Sequence, residues 1–251
     1  MKKNKSKIGI LGYGEVGKAI AKLYKKPKIK DLNRDNGLKG VEILHICIPW
    51  SNDFLKTAKK EIKEIKPKLI IIHSTVAPGT TRKLALSLPK GLGRMIVHSP
   101  IRGIHPHLYK GIRTFLKYIG TDNKKAGELA EKHLKSLGIK TKVFSPSIIT
   151  ELGKLFSTSY YGLCIVWHGE MKKICNKAGI NFEKAVTDFN KTYNKGYLKL
   201  GKKNVVRPIL YPPKREISGH CIIPNAKILK KYFKSKSLDL ILKYQSKRSK
   251  K

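Results

Sequence analysis

Ile8-Gly9-Ile10-Leu11-Gly12-Tyr13-Gly14-Glu15-Val16-Gly17 runs an apolar stretch straight into a Gly-x-Gly-x-x-Gly turn, after which Val16, Ile20 and Leu23 recur at helical spacing. A strand, a tight turn and an amphipathic helix in that order are the context in which such glycines read as a dinucleotide-binding fingerprint. Gly12 permits the turn, Gly14 lets the backbone approach a pyrophosphate, and Gly17 allows the helix to pack close on the strand. The helix N-terminus then aims its N–H groups at the phosphates. Glu15 and Val16 complete the cofactor-facing loop. A second short strand around Lys28-Ile29-Lys30 leads to Asp31, at the distance where a carboxylate accepts hydrogen bonds from an adenosine ribose. That favours NAD. Arg34 lies just beyond and suits a 2′-phosphate, which keeps NADP as the alternative.

Outward from this stretch, apolar runs alternate with polar, helix-compatible segments as far as Phe144, with strands expected at 7–11, 29–32, 43–48, 69–74, 95–99, 118–120 and 142–144. Continuous runs such as Ile43-Leu44-His45-Ile46-Cys47-Ile48 and Leu69-Ile70-Ile71-Ile72 suit strands covered on both faces. The expected fold class is α/β: an N-terminal doubly wound, Rossmann-type parallel sheet followed by a mostly helical domain with a long central helix. That helix spans residues 148–178, a proline-free run closed by Gly179. Leu152, Leu155, Phe156, Tyr160, Leu163, Val166 and Trp167 cover so much of its surface that it is expected to be buried between two domains or two subunits. A Pro-rich connection from Arg207-Pro208 to Pro212-Pro213 leads to a turn at 218–221 and a last helix near 226–233. The expected domains are 1–146 for the dinucleotide, 147–242 for dimerisation and substrate, and 243–251 as a basic disordered tail.

Composition sets the outer limits. With 251 residues, 40% of them hydrophobic, the chain can bury a sizeable core. No apolar run is long enough to cross a bilayer, and the lysines near the N-terminus precede strand and turn rather than a signal peptide, so a cytoplasmic protein is expected. Cysteines 47, 164, 175 and 221 form no CxxC pair and no metal-ligand cluster, and Cys47 and Cys164 read as small core residues. The net charge of +39 is mostly lysine spread along the chain, which reads as a solvated surface with nonspecific polyanion binding at low salt.

In Ser218-Gly219-His220-Cys221 a cysteine follows a glycine turn and precedes a helix, where amide dipoles and nearby cations lower a thiol pKa and make it nucleophilic. Glu151 and Lys154 lie one turn apart near the start of the long helix and share a face. If Cys221 approaches that face, Lys154 stabilises an oxyanion at a substrate carbon. Spacing alone leaves open whether they meet.

Here the chain resembles the UDP-glucose/GDP-mannose (nucleotide-sugar) dehydrogenases, in a short form. Besides the fingerprint and the strand at 43–49, which ends on Pro49, His73-Ser74-Thr75-Val76-Ala77-Pro78-Gly79-Thr80-Thr81 is similar to the family's STVPPGTT segment. Ser99-Pro100-Ile101-Arg102 is similar to SPER, and Glu151-Leu152-Gly153-Lys154 to the E-x-x-K that opens a dimer-forming helix. Gly169-Glu170, Cys175 and Gly179 resemble the later part of that helix, and Gly219-His220-Cys221-Ile222 the GHCIP cysteine loop.

The resemblance implies oxidation of a nucleotide-sugar alcohol to a carboxylate in two NAD-dependent steps, through a cysteine thiohemiacetal and thioester, in a homodimer. Cys221 becomes the nucleophile, Lys154 the oxyanion-stabilising cation, and Thr75 and Pro49 part of the cofactor pocket. Thr158 stands where the family has asparagine and Asn225 or Ala226 where it has aspartate, while Ile101 replaces the glutamate of SPER. Loss of two carboxylates removes candidates for general-base work, commonly worth about 10²–10⁴-fold. The family's C-terminal domain has no counterpart before Lys251, so the substrate site is expected to take a smaller substrate, borrow contacts across a dimer, or use a separate polypeptide.

Arg102, Glu151 and His220 are the expected substrate contacts, Arg102 through a bidentate bond to an acidic group. His98, His105 and His107 lie in a proline-restrained loop without helix-face ligand geometry, so no metal is expected. His168, Tyr160, Tyr161 and Trp167 read as packing residues. Alternative readings are a β-hydroxyacid or 6-phosphogluconate dehydrogenase-like enzyme that uses Lys154 without the thiol, and a non-catalytic NAD-binding protein.

Overall fold

A computed structural model describes residues 7–213, 217 and 221–245. The chain divides into two compact units between Lys154 and Leu155.

The first unit alternates strands and helices: β1 (Ile8–Leu11), α1 (Glu15–Ala21), β2 (Lys28–Asp31), β3 (Arg34–Asp35), β4 (Ile43–Ile46), α2 (Phe54–Ile65), β5 (Leu69–Ile72), α3 (Thr80–Ser87), β6 (Ile96–His98), α4 (Leu108–Thr114), β7 (Lys117–Thr121), α5 (Lys124–Ser136) and β8 (Thr141–Phe144). These strands form one eight-stranded sheet in the order β3-β2-β1-β4-β5-β6-β7-β8. The expected doubly wound sheet is present and mostly parallel. Two pairings run the other way, β2 with β3 and β6 with β7. β3 was not anticipated, because two residues after a tight turn carry no alternation to read.

Strand alternation sorts side chains to two cores. Ile10, Ile43, Leu69, Ile71 and Val97 pack against α1, α4 and α5. Leu11, Leu44, Ile46, Ile70 and Ile72 pack against α2 and α3. β1 lies between β2 and β4, so the chain leaves it in opposite directions at that point and opens a crevice beyond the strands' carboxyl ends, where open α/β sheets hold ligands.

The long helix α6 (Ile148–Lys177) has the expected span, and Gly179, at φ +67°, ends it in the left-handed conformation that glycine adopts without strain. Most of α6 belongs to the second unit, which continues through a π-helical turn (Glu183–Asp188), α7 (Phe189–Lys199), α8 (Ile222–Lys230) and α9 (Lys236–Lys243). Val166 is buried, while Phe156, Trp167 and Ile174 are more than half exposed in the single chain. Lys243, Tyr244 and Gln245, expected in the basic tail, are structured: α9 buries Leu238 and Ile241, and the Tyr244 carbonyl accepts from the Ile217 amide at 3.0 Å. Flanking lysines hid the short apolar period of α9; residues 246–251 of that tail lie outside the described residues.

Candidate functional site: the nucleotide crevice and the first turns of the long helix

At each glycine of the loop the backbone sets a steric condition. Gly12 sits at φ +92°, and a side chain there would meet the Ile48 amide nitrogen at 2.7 Å. At Gly17 a Cβ would stand 2.0 Å from the Gly12 carbonyl oxygen, so any larger residue pushes α1 off the loop. Gly14 has nothing within 4 Å of that position, an opening for a ligand at the N-terminus of α1. Glu15 lies in the first turn of α1 and pairs with His105, while Val16 is half-buried against the core. Val16 therefore supports the loop from beneath.

Asp31 ends β2 and faces the loop. One carboxylate oxygen accepts from the Tyr13 amide at 3.0 Å and the other from the Leu32 amide at 2.9 Å, so the acid holds the glycine turn in shape. Arg34 stands close by, its guanidinium 5.1 Å from the centre of the Tyr13 ring and its Nε donating to Asn36 at 3.1 Å. A carboxylate and a guanidinium thus flank one turn, a place for ribose hydroxyls and neighbouring negative charge.

Exposed Pro49 and half-buried Thr75 follow the carboxyl ends of β4 and β5 on the same crevice. The loop carrying Thr75 is held by Ser74, whose hydroxyl donates to the Ile48 carbonyl at 2.5 Å, and by Glu151 at its far end. Glu151 is fully buried; its carboxylate accepts from the amides of Gly79 and Thr81 at 2.5 and 2.8 Å and from the Thr81 hydroxyl at 2.6 Å. With both oxygens engaged it supports the loop. Burial pushes its carboxyl above the ordinary range, opposed by these hydrogen bonds.

Lys154, one turn further along α6, is half-buried. Its charge reaches the two buried bases His98 and Lys117. The His98 imidazole is held down to about 3 and the Lys117 amine to about 7, burial being the main cause in each and the Lys154 ammonium contributing to both. Sequence reasoning passed over Lys117, whose ammonium donates to the carbonyls of Ser99 and Pro100 at 2.8 and 3.3 Å. A lone lysine opening a strand carries no signal of burial.

Arg102 lies over the Tyr118 and Phe115 rings, 4.9 and 5.5 Å from their centres, and donates to the Leu116 carbonyl at 3.3 Å. His98 is buried between Thr150 and Ser74, and His107 is the exposed residue preceding α4. Among the described residues no three His, Cys, Asp or Glu side chains cluster as a metal site.

In the second unit Cys221 is half-buried and occupies the N-cap position of α8, which runs over Ile222–Lys230 where a helix near 226–233 was expected. Its carbonyl accepts from the amide of buried Asn225 at 3.1 Å. Ala226 is buried beside it, and Thr158 is half-buried one turn beyond Lys154 in α6. Cys164 is half-buried rather than a core residue. His168 donates from Nδ1 to the Cys164 carbonyl at 2.7 Å, and its Nε2 has no partner among the described residues. His220 lies outside the described residues.

No known family model matches the chain. By sequence it is similar to UDP-N-acetyl-D-mannosamine dehydrogenase from Pyrococcus horikoshii, 26% identical over 88% of this chain and 54% of that protein. The enzyme of the same name from Methanocaldococcus jannaschii is 30% identical over 65% of this chain and 36% of its own length. The chain thus spans about half the length, or less, of these curated relatives. Solved structures share the fold. UDP-D-ManNAc dehydrogenase from Pyrococcus horikoshii superposes with a TM-score of 0.75 at 20% identity, covering 96% of this chain and 68% of that one. 3-Hydroxyisobutyrate dehydrogenase from Mycobacterium tuberculosis gives 0.70 at 12% identity, covering 95% and 91%.

Proposed function

We propose that this chain is an NAD-dependent oxidoreductase of the nucleotide-sugar dehydrogenase type, acting on a nucleotide sugar or a related alcohol. The carrying observation is the crevice at β1, where the tight glycine turn, the open N-terminus of α1 and Asp31 meet the requirements of a dinucleotide. NAD, when bound, supplies the hydride acceptor. The relatives' names supply the substrate class.

In this reading Gly12, Gly14 and Gly17 would make room for the pyrophosphate, and Asp31, still bracing the Tyr13 and Leu32 amides, would accept from ribose hydroxyls with its remaining lone pairs. Arg34 would favour a 2′-phosphate, and the acid in β2 tips the preference to NAD. Lys154 presents its ammonium to the substrate oxygen and stabilises the negative charge there as the hydroxyl proton passes to water and hydride leaves the carbinol carbon for the nicotinamide acceptor. Cys221 Sγ adds to the carbonyl carbon of the resulting aldehyde, giving a thiohemiacetal. Thr158 and Asn225 offer hydrogen bonds but accept no proton at neutral pH, so activation of water is the weak step of this site. Arg102 and His220 are proposed to contact substrate. The exposed Phe156, Trp167 and Ile174 of α6 support a homodimer through that helix. The cell compartment we propose is the cytoplasm; among the described residues no helix is long and apolar enough to cross a membrane.

The test is reduced-nicotinamide absorbance with NAD or NADP and a panel of nucleotide sugars and 3-hydroxyacids, on wild type, Cys221→Ser and Lys154→Ala. Turnover of a nucleotide sugar that falls at least about 100-fold in both variants supports the reading. Full turnover in Cys221→Ser overturns the thiol's role. A second reading, a β-hydroxyacid dehydrogenase-like enzyme, is favoured by the 91% coverage of the shorter 3-hydroxyisobutyrate enzyme. It predicts hydroxyacid turnover that needs Lys154 and ignores Cys221.

A further inference from the structure

We infer that Thr150 and Glu151 are positioning residues, a clamp that holds both ends of the 74–81 loop against the first turn of α6 and so fixes the cofactor loop relative to Lys154. The inference rests on the dinucleotide-dependent reading above.

The near end of the loop is reached through His98. Its Nε2 lies 3.1 Å from the Ser74 carbonyl oxygen, and its Nδ1 lies 2.8 Å from the Thr150 hydroxyl. A carbonyl can only accept, so Nε2 carries the imidazole proton. The ring is neutral in its buried setting, which leaves Nδ1 bare and makes the Thr150 hydroxyl the donor, its one proton shared between Nδ1 at 2.8 Å and the Ser147 carbonyl at 3.0 Å. The relay therefore has one direction, from Thr150 through His98 to Ser74. The far end is reached directly. Glu151 takes the amides of Gly79 and Thr81 and the Thr81 hydroxyl, which are the first donors of α3.

Two features argue that this arrangement serves more than folding. Gly79, at φ +80°, precedes α3 and has no side chain to cap it, whereas an aspartate or serine at a helix start caps locally. The chain instead brings a buried carboxylate from 72 residues away, a group that is expensive to desolvate. What a distant carboxylate provides and a local one does not is a fixed distance between loop and α6. The approach is also built from the other side. At Gly120 in β7 a Cβ would stand 2.1 Å from the Thr150 hydroxyl oxygen, so glycine admits the helix start. Asp122 accepts from the Ser147 amide at 3.3 Å and from the Ser147 hydroxyl, anchoring the same turn. The result is that Thr75 and Lys154 are carried by one braced structure.

The experiment uses the full chain as Thr150→Val, Thr150→Ser and Glu151→Gln. Three quantities are measured: calorimetric Kd for NAD, KM and kcat on the best substrate, and hydrogen exchange at the Gly79 and Thr81 amides. Loss of one hydrogen bond predicts an NAD Kd raised about tenfold in Thr150→Val, with Thr150→Ser near wild type and the substrate KM little changed. Glu151→Gln is expected to speed exchange at both amides and raise the Kd as much or more. If Glu151→Gln does not fold, the two Thr150 variants decide. Unchanged NAD affinity in Thr150→Val, or equal loss of NAD and substrate affinity, overturns the clamp's positioning role. A wild type that binds neither NAD nor NADP overturns the dinucleotide reading instead, and the clamp's purpose with it, even where amide exchange still reports the contacts.

Discussion

The two faces of the sheet in the first unit are built on opposite principles. Against α2 and α3, fully buried Leu44, Ile46, Ile70 and Ile72 meet Phe54, Ile62 and Leu84 in an aliphatic and aromatic cluster, and the buried carboxylate on that side, Glu61 of α2, is paired with Lys30 at 2.9 Å. The other face, toward α1 and α5, carries a line of buried polar groups set among aliphatic neighbours. His73 Nδ1 lies 2.8 Å from the Ser99 carbonyl, His73 Nε2 2.8 Å from His45 Nδ1, His45 Nε2 2.8 Å from the Tyr24 hydroxyl, and that hydroxyl 2.7 Å from His133 Nε2. The carbonyl at one end sets every proton: His73 donates from Nδ1, His45 from Nδ1, Tyr24 from its hydroxyl, and His133 from Nε2. Lys117 donates to the same Ser99 oxygen and occupies its second lone pair. One face shows that alternation suffices when side chains are apolar. Its counterpart shows that a strand can place imidazoles in the same layer when each ring nitrogen finds one partner.

That contrast can be broken by mutation. Ile70→Ala on the dry face removes packing with nothing to refill it and is expected to cost about 2–5 kcal/mol in denaturant unfolding. A loss below about 1 kcal/mol would show that face to be loosely packed. On the polar face, Tyr24→Phe leaves His45 and His133 facing a ring edge and should cost about 1–3 kcal/mol. The combined change of Tyr24, His45 and His73 to Phe, Leu and Leu should cost less than the three single losses added together, because the unsatisfied partners disappear as a set.

The acid–base response sharpens the contrast further. Burial holds His45 and His73 well below the ordinary histidine range, and His133 down to about 4. An unfolded chain protonates these rings near ~6.5, so below that pH the unfolded state binds more protons and stability falls as pH drops. Lys117, held down to about 7, has the same sign at higher pH: between about 7 and its unfolded value near ~10.4 the unfolded state again holds the extra proton, so stability rises with pH. The unfolding midpoint is expected to climb from pH 5.5 to 9, with Lys117→Met flattening the upper part. A profile that falls across this range would remove the buried-neutral assignment. The smallest effect is spectroscopic. Nitrogen shifts should report Nδ1–H tautomers at His45 and His73 and Nε2–H at His133, and the reverse at His73 would break the relay's direction.

Legibility in the sequence differs residue by residue. The strands at β1, β4 and β5, the glycine loop, Asp31 at the end of β2 and the span of α6 were all readable, because each depends on a few neighbouring residues. His45 was hidden inside the apolar run Ile43-Leu44-His45-Ile46, where periodicity marks it only as buried. Lys117 and His133 carried no local mark at all. Glu151 was placed on the correct helix, while its partners Gly79 and Thr81 were not legible, since helical spacing aligns it with Lys154 but does not say what lies against it.

By itself the sequence determined the backbone: where chain direction changes, where glycine is required, and which residues alternate into a core, all of which follow from stereochemistry and spacing over ten residues or fewer. Only the tertiary structure decided which buried polar groups meet. Glu151 reaches Gly79, His98 joins Thr150 to Ser74, and His73 and Lys117 share the Ser99 oxygen because β5, β6 and β7 are neighbours in the sheet. Pairing of this kind depends on distance in space, and a hydrogen bond has no period along the chain.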